Sequence, residues 1–188
     1  GEEANNATFV KKLAALGDVY VNDAFACAHR AHASIVGLSK HLPAYAGLLF
    51  EKELSHLEAL LGTPQKPVAA IIGGAKVSTK LALLESLASK MQHLLIGGGM
   101  ANTFLFAQDY TVGKSLCEKE LIQQAIHIMA VAKKHNCTIH LPSDAIVTKE
   151  LTAHHANSMV EIASVSPRDM IVDIGLNTLA EWMDVLKS

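Results

Sequence analysis

Cysteine is too scarce here to staple a fold: Cys27, Cys117 and Cys137 are odd in number and far apart, which argues against both a disulfide framework and a zinc motif. No apolar run reaches the roughly 20 residues of a membrane-spanning helix. The opening GEEANNATF is acidic and polar, unlike a secretory leader, so a soluble, cytoplasmic protein without a membrane partner is expected. An excess of one charge is missing as well. With 16 Lys and Arg against 18 Asp and Glu, the formal charge of −2 provides no general attraction to nucleic acid or an anionic surface, and no nucleic-acid partner is expected. Ten histidines are present, yet His29 and His32 lack the HExxH pattern and His154 and His155 are adjacent, so they propose no metal site.

What is abundant is Ala, Leu, Ile and Val, within a chain that is 50% hydrophobic but only 5% aromatic. Its 188 residues suit one large domain, or one and a fraction. The stretch Pro67 to Leu81, PVAAIIGGAKVSTKL, organises the rest. Val68 to Ile72 is apolar without alternation, as in a parallel strand covered on both faces, with Pro67 at its first position. After Gly73 and Gly74 the period becomes helical, with Leu81, Leu84 and Leu87 repeating beside Val77, Leu83 and Ala88. The glycines are therefore expected to deliver the chain to a helix N-terminus, where backbone N–H groups attract anions. Lys76 and Lys80, four apart, would share one face of the first turns. Two cations there oppose the helix dipole unless an anion sits between them, which points to a phosphate.

In chain order, Asn5 to Leu16 reads as a helix stopped by Gly17, and Asp18 to Asp23 as a short strand. The strand feeds AFACAHRAHAS, where Arg30 between His29 and His32 suits a carboxylate or phosphate, or is simply a solvated basic loop. Pro43 is expected to open a helix carrying Phe50, Leu54, Leu57 and Leu61, with Leu49 and Leu60 alongside. Its carboxylates Glu51, Glu53 and Glu58 read as a solvated face. Gly62-Thr63-Pro64 ends it, and Gly62 to Pro67 is the candidate domain boundary. His93 to Ile96 is a further strand, and Gly97-Gly98-Gly99 a second glycine loop leading into a helical MANTFLFAQ. Two such strand ends suggest one shared ligand cleft.

Ser115 and Glu118 have capping-box spacing before a helix with Leu121, Ile122, Ala125, Ile126, Met129 and Ala132 inward, closed by Asn136. Thr138 to Leu141 and Met170 to Ile174 read as strands separated by a looped or short-helical region, and Thr178 to Lys187 as a final helix. Strands alternating with helices imply βαβ units and a mainly parallel sheet.

Two motifs fail on inspection. Gly113-Lys114-Ser115 lacks the earlier glycine of a Walker A loop, since position 108 is Gln. Gly97 to Asn102 resembles GxGxxG with Asn in the last place, and Glu118 or Glu120, its only acidic nominees, lie in a helical first turn. No Ser-His-Asp or Cys-His set stands out. From these residues alone, a phosphate or nucleotide site and a pair of structural turns remain equal readings.

Taken together, GDVYVNDAFACAHRAHAS at 17 to 34, FEKEL at 50 to 54, VAAIIGGAKVSTK at 68 to 80, LLIGGGMANTFL at 94 to 105 and LPSDAIV at 141 to 147 closely resemble phosphoglycerate kinase, in order and spacing as well as wording. The resemblance runs through the whole chain. It implies an α/β fold, a mainly parallel Rossmann-like sheet flanked by helices, forming the central part of a two-domain kinase. Residues 1–43 would end an N-terminal phosphoglycerate-binding domain, 44–62 form the interdomain helix, and 63–188 begin the C-terminal nucleotide-binding domain. The implied reaction is reversible phosphoryl transfer between 1,3-bisphosphoglycerate and ADP, giving 3-phosphoglycerate and Mg-ATP in glycolysis. Lys76 would stabilise the phosphoryl group in flight, Lys80 would hold a nucleotide phosphate, and Gly73, Gly74 and Ala75 would form the phosphate-side loop. Gly98, Gly99 and Leu116 would wall the adenine pocket, and Arg30 would meet phosphoglycerate.

The family's RVDFNVP, SHLGRP and ENxRF stretches would lie before Gly1, and WNGPxGxFE, GGGDT or GGGDS and TGGGA after Ser188. The resemblance thus implies an incomplete chain, inactive alone, whose magnesium ligand lies outside it and which is a monomer when full length. Ala26-Cys27 stands where Gly-Thr is common, and Ile171 where some members have a nucleotide-contacting Gly. The competing readings are a non-catalytic nucleotide-binding module and, among enzymes, a dinucleotide-dependent dehydrogenase, against which the paired lysines speak.

Overall fold

The computed structural model describes residues 1–62, 64–152 and 156–187; Thr63 of the connector and the His154-His155 pair lie outside the described residues. The chain packs as two compact units, Gly1–Pro64 and Gln65–Ser188.

In the first unit, α1 (Ala7–Ala14) starts where the Asn6 side chain accepts the Phe9 N–H at 3.1 Å. It ends on Ala15, whose N–H bonds back to Lys11 and Leu13 carbonyls, so Gly17 is not the stop that its position suggested. The strand β1 (Tyr20–Asn22) pairs in parallel with β2 (Ala44–Ala46), Tyr20 opposite Ala44. Pro43 therefore leads into a strand rather than a helix, its carbonyl accepting the Tyr20 N–H at 2.9 Å. The helix α2 (Leu48–Leu61) begins only after Gly47, because Asp23 supplies the cap: its Oδ1 accepts the Leu49 and Phe50 N–H groups at 2.7 and 3.0 Å. None of the α2 residues is buried, so the apolar stripe is real in sequence but remains largely uncovered within the unit. Phe50 alone of the stripe makes a ring contact, edge-on to Phe25 at 5.4 Å.

In the second unit, β3 (Ala69–Ile72), β4 (His93–Ile96) and β5 (Thr138–His140) form a parallel sheet in the order β3-β4-β5. It is covered by α3 (Leu81–Lys90), α4 (Gly98–Ala107) and α5 (Ile122–Lys134). Leu84 and Leu87, Leu94 and Ile96, Met100 and Phe104, and Ala125 and Ile128 meet in one core. Each large side chain fully buried there contributes about 1.5–3 kcal/mol of transfer free energy. Asn136, at φ 57°, closes α5 in the left-handed conformation as its sequence suggested.

Several local expectations are corrected. The helix α3 begins at Leu81, so residues 73–80 are loop and turn, and Lys76 and Lys80 do not share a helical face. The reason is Val77, fully buried in the core and pulling the loop down before the helix can start. Leu83 and Ile126 point outward, and Ile128 occupies the core instead. Ser115 and Glu118 form no capping box: Ser115 Oγ accepts the Ile171 N–H at 2.8 Å and Glu118 bonds Ser78. A short 3₁₀ turn, Lys119–Leu121, precedes α5. Ile71 is 59% exposed, so β3 is not covered on both faces.

The region between β5 and the last predicted strand is not a loop. It holds β6 (Asp144–Thr148) and β7 (Asn157–Glu161), which with β8 (Met170–Ile174) form an antiparallel sheet ordered β7-β6-β8. Across the described residues the architecture is nevertheless α/β and mainly parallel, β1-β2, β3-β4 and β4-β5 all pairing in parallel. The last helix, α6 (Leu176–Lys187), is capped by Asp144, 1% exposed. Asp144 Oδ1 accepts the Thr178 N–H at 2.8 Å and hydroxyl at 2.6 Å, and Oδ2 the Asn177 N–H at 3.0 Å. Burial pushes this carboxyl up, but the Thr178 and Asn177 bonds outweigh it and hold the pKa below the ordinary value.

Candidate functional site

Parallel pairing in register, Ile72 opposite Ile96, brings the C-terminal ends of β3 and β4 together, and with them both glycine loops. The Gly97 N–H donates to Ile72 O at 2.9 Å and the Met100 N–H to Gly74 O at 2.8 Å. The loops thus touch through backbone. Gly98 has φ +65°, and a Cβ on it would lie 3.0 Å from Gly74 O; one on Gly99 would lie 3.0 Å from Ala75 O and 3.2 Å from Leu116 Cδ2. Glycine at 98 and 99 is accordingly demanded by close approach of the first loop to the start of α4. Gly73 faces open space, with no heavy atom within 4 Å of its would-be Cβ.

Lys80 immediately precedes α3, and its Cε lies 3.5 Å from the position of a Gly74 Cβ, so this side chain runs over the glycine loop. Lys76 is exposed on the same loop, and its charge is felt by Glu118. Two cations and the N-terminus of α4 therefore border one glycine-lined surface, an arrangement that attracts phosphate oxygens through charge and backbone N–H groups together. Leu116, 52% exposed, adds an apolar wall beside Gly99. A cavity of about 70 Å³ that shares Gly98 and Gly99 with this surface is lined further by Asn102, Ile171, Val172 and Asp173, among others.

The structure thus gathers Gly73, Gly74, Ala75, Lys76, Lys80, Gly98, Gly99 and Leu116 in the second unit. Arg30 belongs to the first, where it is exposed; its N–H closes a turn on Cys27 O at 3.0 Å.

Three neighbours lie outside the site residues expected from the sequence, where Asn102 and Glu118 entered as site candidates only through the GxGxxG-like motif that failed. Asn102 is 1% exposed; its Nδ2 donates to Leu116 O at 3.0 Å while its Oδ1 has no partner. Thr103 Oγ1 accepts the Glu118 N–H at 3.1 Å. Glu118 itself accepts the Ser78 N–H at 3.0 Å and the Ser78 hydroxyl at 2.6 Å. Partial burial raises the Glu118 pKa, and the Ser78 and Val77 bonds with the Lys76 charge reverse that effect and bring it below the usual carboxylate value. The adjacent Cys117 thiol is pushed up, chiefly by burial. Among the described residues no group of three His, Cys, Asp or Glu could hold a metal ion. No helix is long and apolar enough to cross a membrane among them either.

The family model described as phosphoglycerate kinase matches residues 1–188. The curated phosphoglycerate kinase of Zymomonas mobilis is 53% identical over 188 residues, covering 100% of this chain and 47% of that protein. That of Methylorubrum extorquens is 55% identical over 180 residues, covering 96% and 45%. Among solved structures, phosphoglycerate kinase from Coxiella burnetii superposes with a TM-score of 0.82 at 43% identity, covering 99% of this chain and 48% of the other. The enzyme from Pyrococcus horikoshii gives a TM-score of 0.79 at 28% identity, covering 98% and 47%. The chain spans about half the length of the relatives it matches.

Proposed function

The chain belongs to the phosphoglycerate kinase family, and on that premise we propose that it supplies the nucleotide-side machinery for reversible phosphoryl transfer between 1,3-bisphosphoglycerate and ADP, giving 3-phosphoglycerate and ATP. The observation that carries this reading is the joining of two glycine loops by Met100 N–H and Gly74 O, with Lys76 and Lys80 at their rim. Phosphoryl transfer requires positioning and stabilisation of charge spread over the equatorial oxygens rather than a protein nucleophile. Lys76, exposed on the loop, is the cation for the transferring group. Lys80, laid over Gly74, holds a nucleotide phosphate against Gly73, Gly74 and Ala75. Gly98 and Gly99 with Leu116 form the apolar slot for adenine.

In this reading residues 1–43 close a phosphoglycerate-binding domain in which Arg30 meets the anionic substrate, 44–62 are the interdomain segment whose helix is α2 (Leu48–Leu61), and 63–188 begin the nucleotide-binding domain. The full-length enzyme works as a cytoplasmic monomer. Mg²⁺ accompanies the nucleotide, but the residues present do not fit it: the carboxylate beside the loop, Glu118, is occupied by Ser78.

The test is Lys76→Ala in the full-length enzyme containing this chain. Loss of one preorganised charge in the transition state lowers kcat on the order of 10²–10³-fold, with a much smaller change in the KM for ADP. Undiminished turnover would refute the assignment, and ADP binding without transfer in the unaltered full-length protein would make it a non-catalytic nucleotide-binding module.

A further inference from the structure

We infer that Glu118 is a positioning residue that sets Lys76 and Lys80 in register with the base-binding wall, an inference resting on the nucleotide-site reading above. The loop 73–80 carries both lysines, yet it leaves the sheet at Ile72 and is not helical until Leu81. Its lower side is anchored by the buried Val77. Its outer side is tied within itself by the Thr79 hydroxyl to Lys76 O at 3.0 Å, and to the rest of the unit by the Glu118 carboxylate, which accepts the Ser78 N–H and the Ser78 hydroxyl midway between the two lysines. A carboxylate suits this task because it offers acceptor sites for several converging donors and nothing that repels them.

What makes the clasp more than a local tie is where Glu118 is itself fixed. Its own N–H is held by Thr103, and two residues earlier the Leu116 carbonyl is held by Asn102. Both anchors are buried on α4, the helix that opens with Gly98 and Gly99. A continuous bonded path therefore runs from the glycines at the start of α4, through Asn102 and Thr103, to Leu116 and Glu118, and on to Ser78 between the two lysines. The apolar wall and the lysine-bearing loop are thereby joined through hydrogen bonds to one helix. Lys76 lies near enough for its charge to act on Glu118 and lower the carboxyl's pKa, without an ion pair between them.

Glu118 touches neither nucleotide nor transferring group in this scheme; it acts through the loop. The experiment compares Glu118→Ala, Glu118→Gln and Ser78→Ala in the full-length enzyme, reading kcat, both KM values, ADP affinity by calorimetry, and Tm. Misplacing the loop in Glu118→Ala lowers kcat on the order of 10–100-fold and weakens ADP binding, leaves the KM for 3-phosphoglycerate unchanged, and leaves a folded protein. Glu118→Gln keeps one acceptor oxygen and recovers part of the loss. Ser78→Ala, which deletes one bond only, causes a smaller loss in the same parameters, and combining it with Glu118→Ala adds nothing further. Should Glu118→Ala fail to fold, the Ser78→Ala result decides by the same criteria.

Unchanged kcat and ADP affinity in a folded variant overturns the inference, as does a fall in Tm with both substrates affected alike. Failure of the unaltered enzyme to bind ADP would instead bring down the site reading itself, a distinct outcome visible before any variant is made.

Discussion

Removing the Asp144 carboxylate should weaken the second unit more than any surface change of similar size. Asp144→Ala deprives the first turn of α6 of acceptors for the Thr178 N–H, the Thr178 hydroxyl and the Asn177 N–H. Loss of an ordinary helix cap costs about 1 kcal/mol, and a hydrogen bond to a charged group contributes about 1.5–3 kcal/mol. Thr178 is fully buried, so water does not replace the acceptor lost by its N–H, whereas its hydroxyl can turn to the Asp144 carbonyl at 3.1 Å and the Asn177 N–H is recovered in part by solvent. The expected cost is therefore about 3 kcal/mol, from the cap and the one unreplaced bond of the Thr178 N–H.

Urea unfolding followed by fluorescence suits the measurement, because Trp182, the one tryptophan of the sequence, lies buried on α6. With an m-value of about 1–3 kcal/mol/M, the midpoint falls by about 1–3 M. The acid dependence supplies a second signature. The folded pKa of Asp144 is depressed, so its stabilisation is complete above the unfolded carboxyl value and disappears as pH falls through the folded one. The gap between the unaltered protein and Asp144→Asn must narrow below about pH 4. A cost under about 0.5 kcal/mol, the level of an ordinary surface substitution, or a gap that widens in acid, would refute the reasoning.

Gly98→Ala forces a side chain into a left-handed residue and to within 3.0 Å of Gly74 O, so stability should fall by about 1–2 kcal/mol and ADP affinity with it; equal melting curves would refute this. His140 packs with His93 Nδ1 at 3.0 Å from its Nε2, and burial, then His93, lowers its pKa. Its folded value lies below the unfolded one, so stability present above about pH 6.5 is lost as pH falls toward the folded value. His140→Leu should flatten that decline in denaturant midpoints between pH 8 and pH 5, and an unchanged slope would count against it.

The parallel core was legible because its strands and helices differ in period: Val68 to Ile72 and His93 to Ile96 lack alternation, while Leu84 and Leu87 recur helically. The glycines marked both strand ends for the same reason. What stayed hidden depends on partners distant in sequence. Ser115 and Glu118 have the spacing of a helix cap, but their bonds go to Ile171 and Ser78, and no local pattern announces a partner 40 residues away. Pro43 fits a helix start equally well until β1 pairs with the next residues. The antiparallel β6 and β7 were hidden because both are short and end in polar residues, Asp144 and Thr148 on one, Asn157 and Glu161 on the other. Lys76 and Lys80 were correctly linked to the loop, but through a turn drawn inward by Val77 rather than through a shared helical face.

Among the described residues β3 is bonded along one side only, to β4, with Ile71 open to solvent. Mechanically, the glycine loop is a beam clamped along a single edge. Within these residues, torque on Lys76 or Lys80 is resisted by the β4 ladder, the buried Val77 and the Glu118 bonds to Ser78. Any strand or peptide laid along the free side of β3 would raise the torsional stiffness of the loop without touching one of its residues.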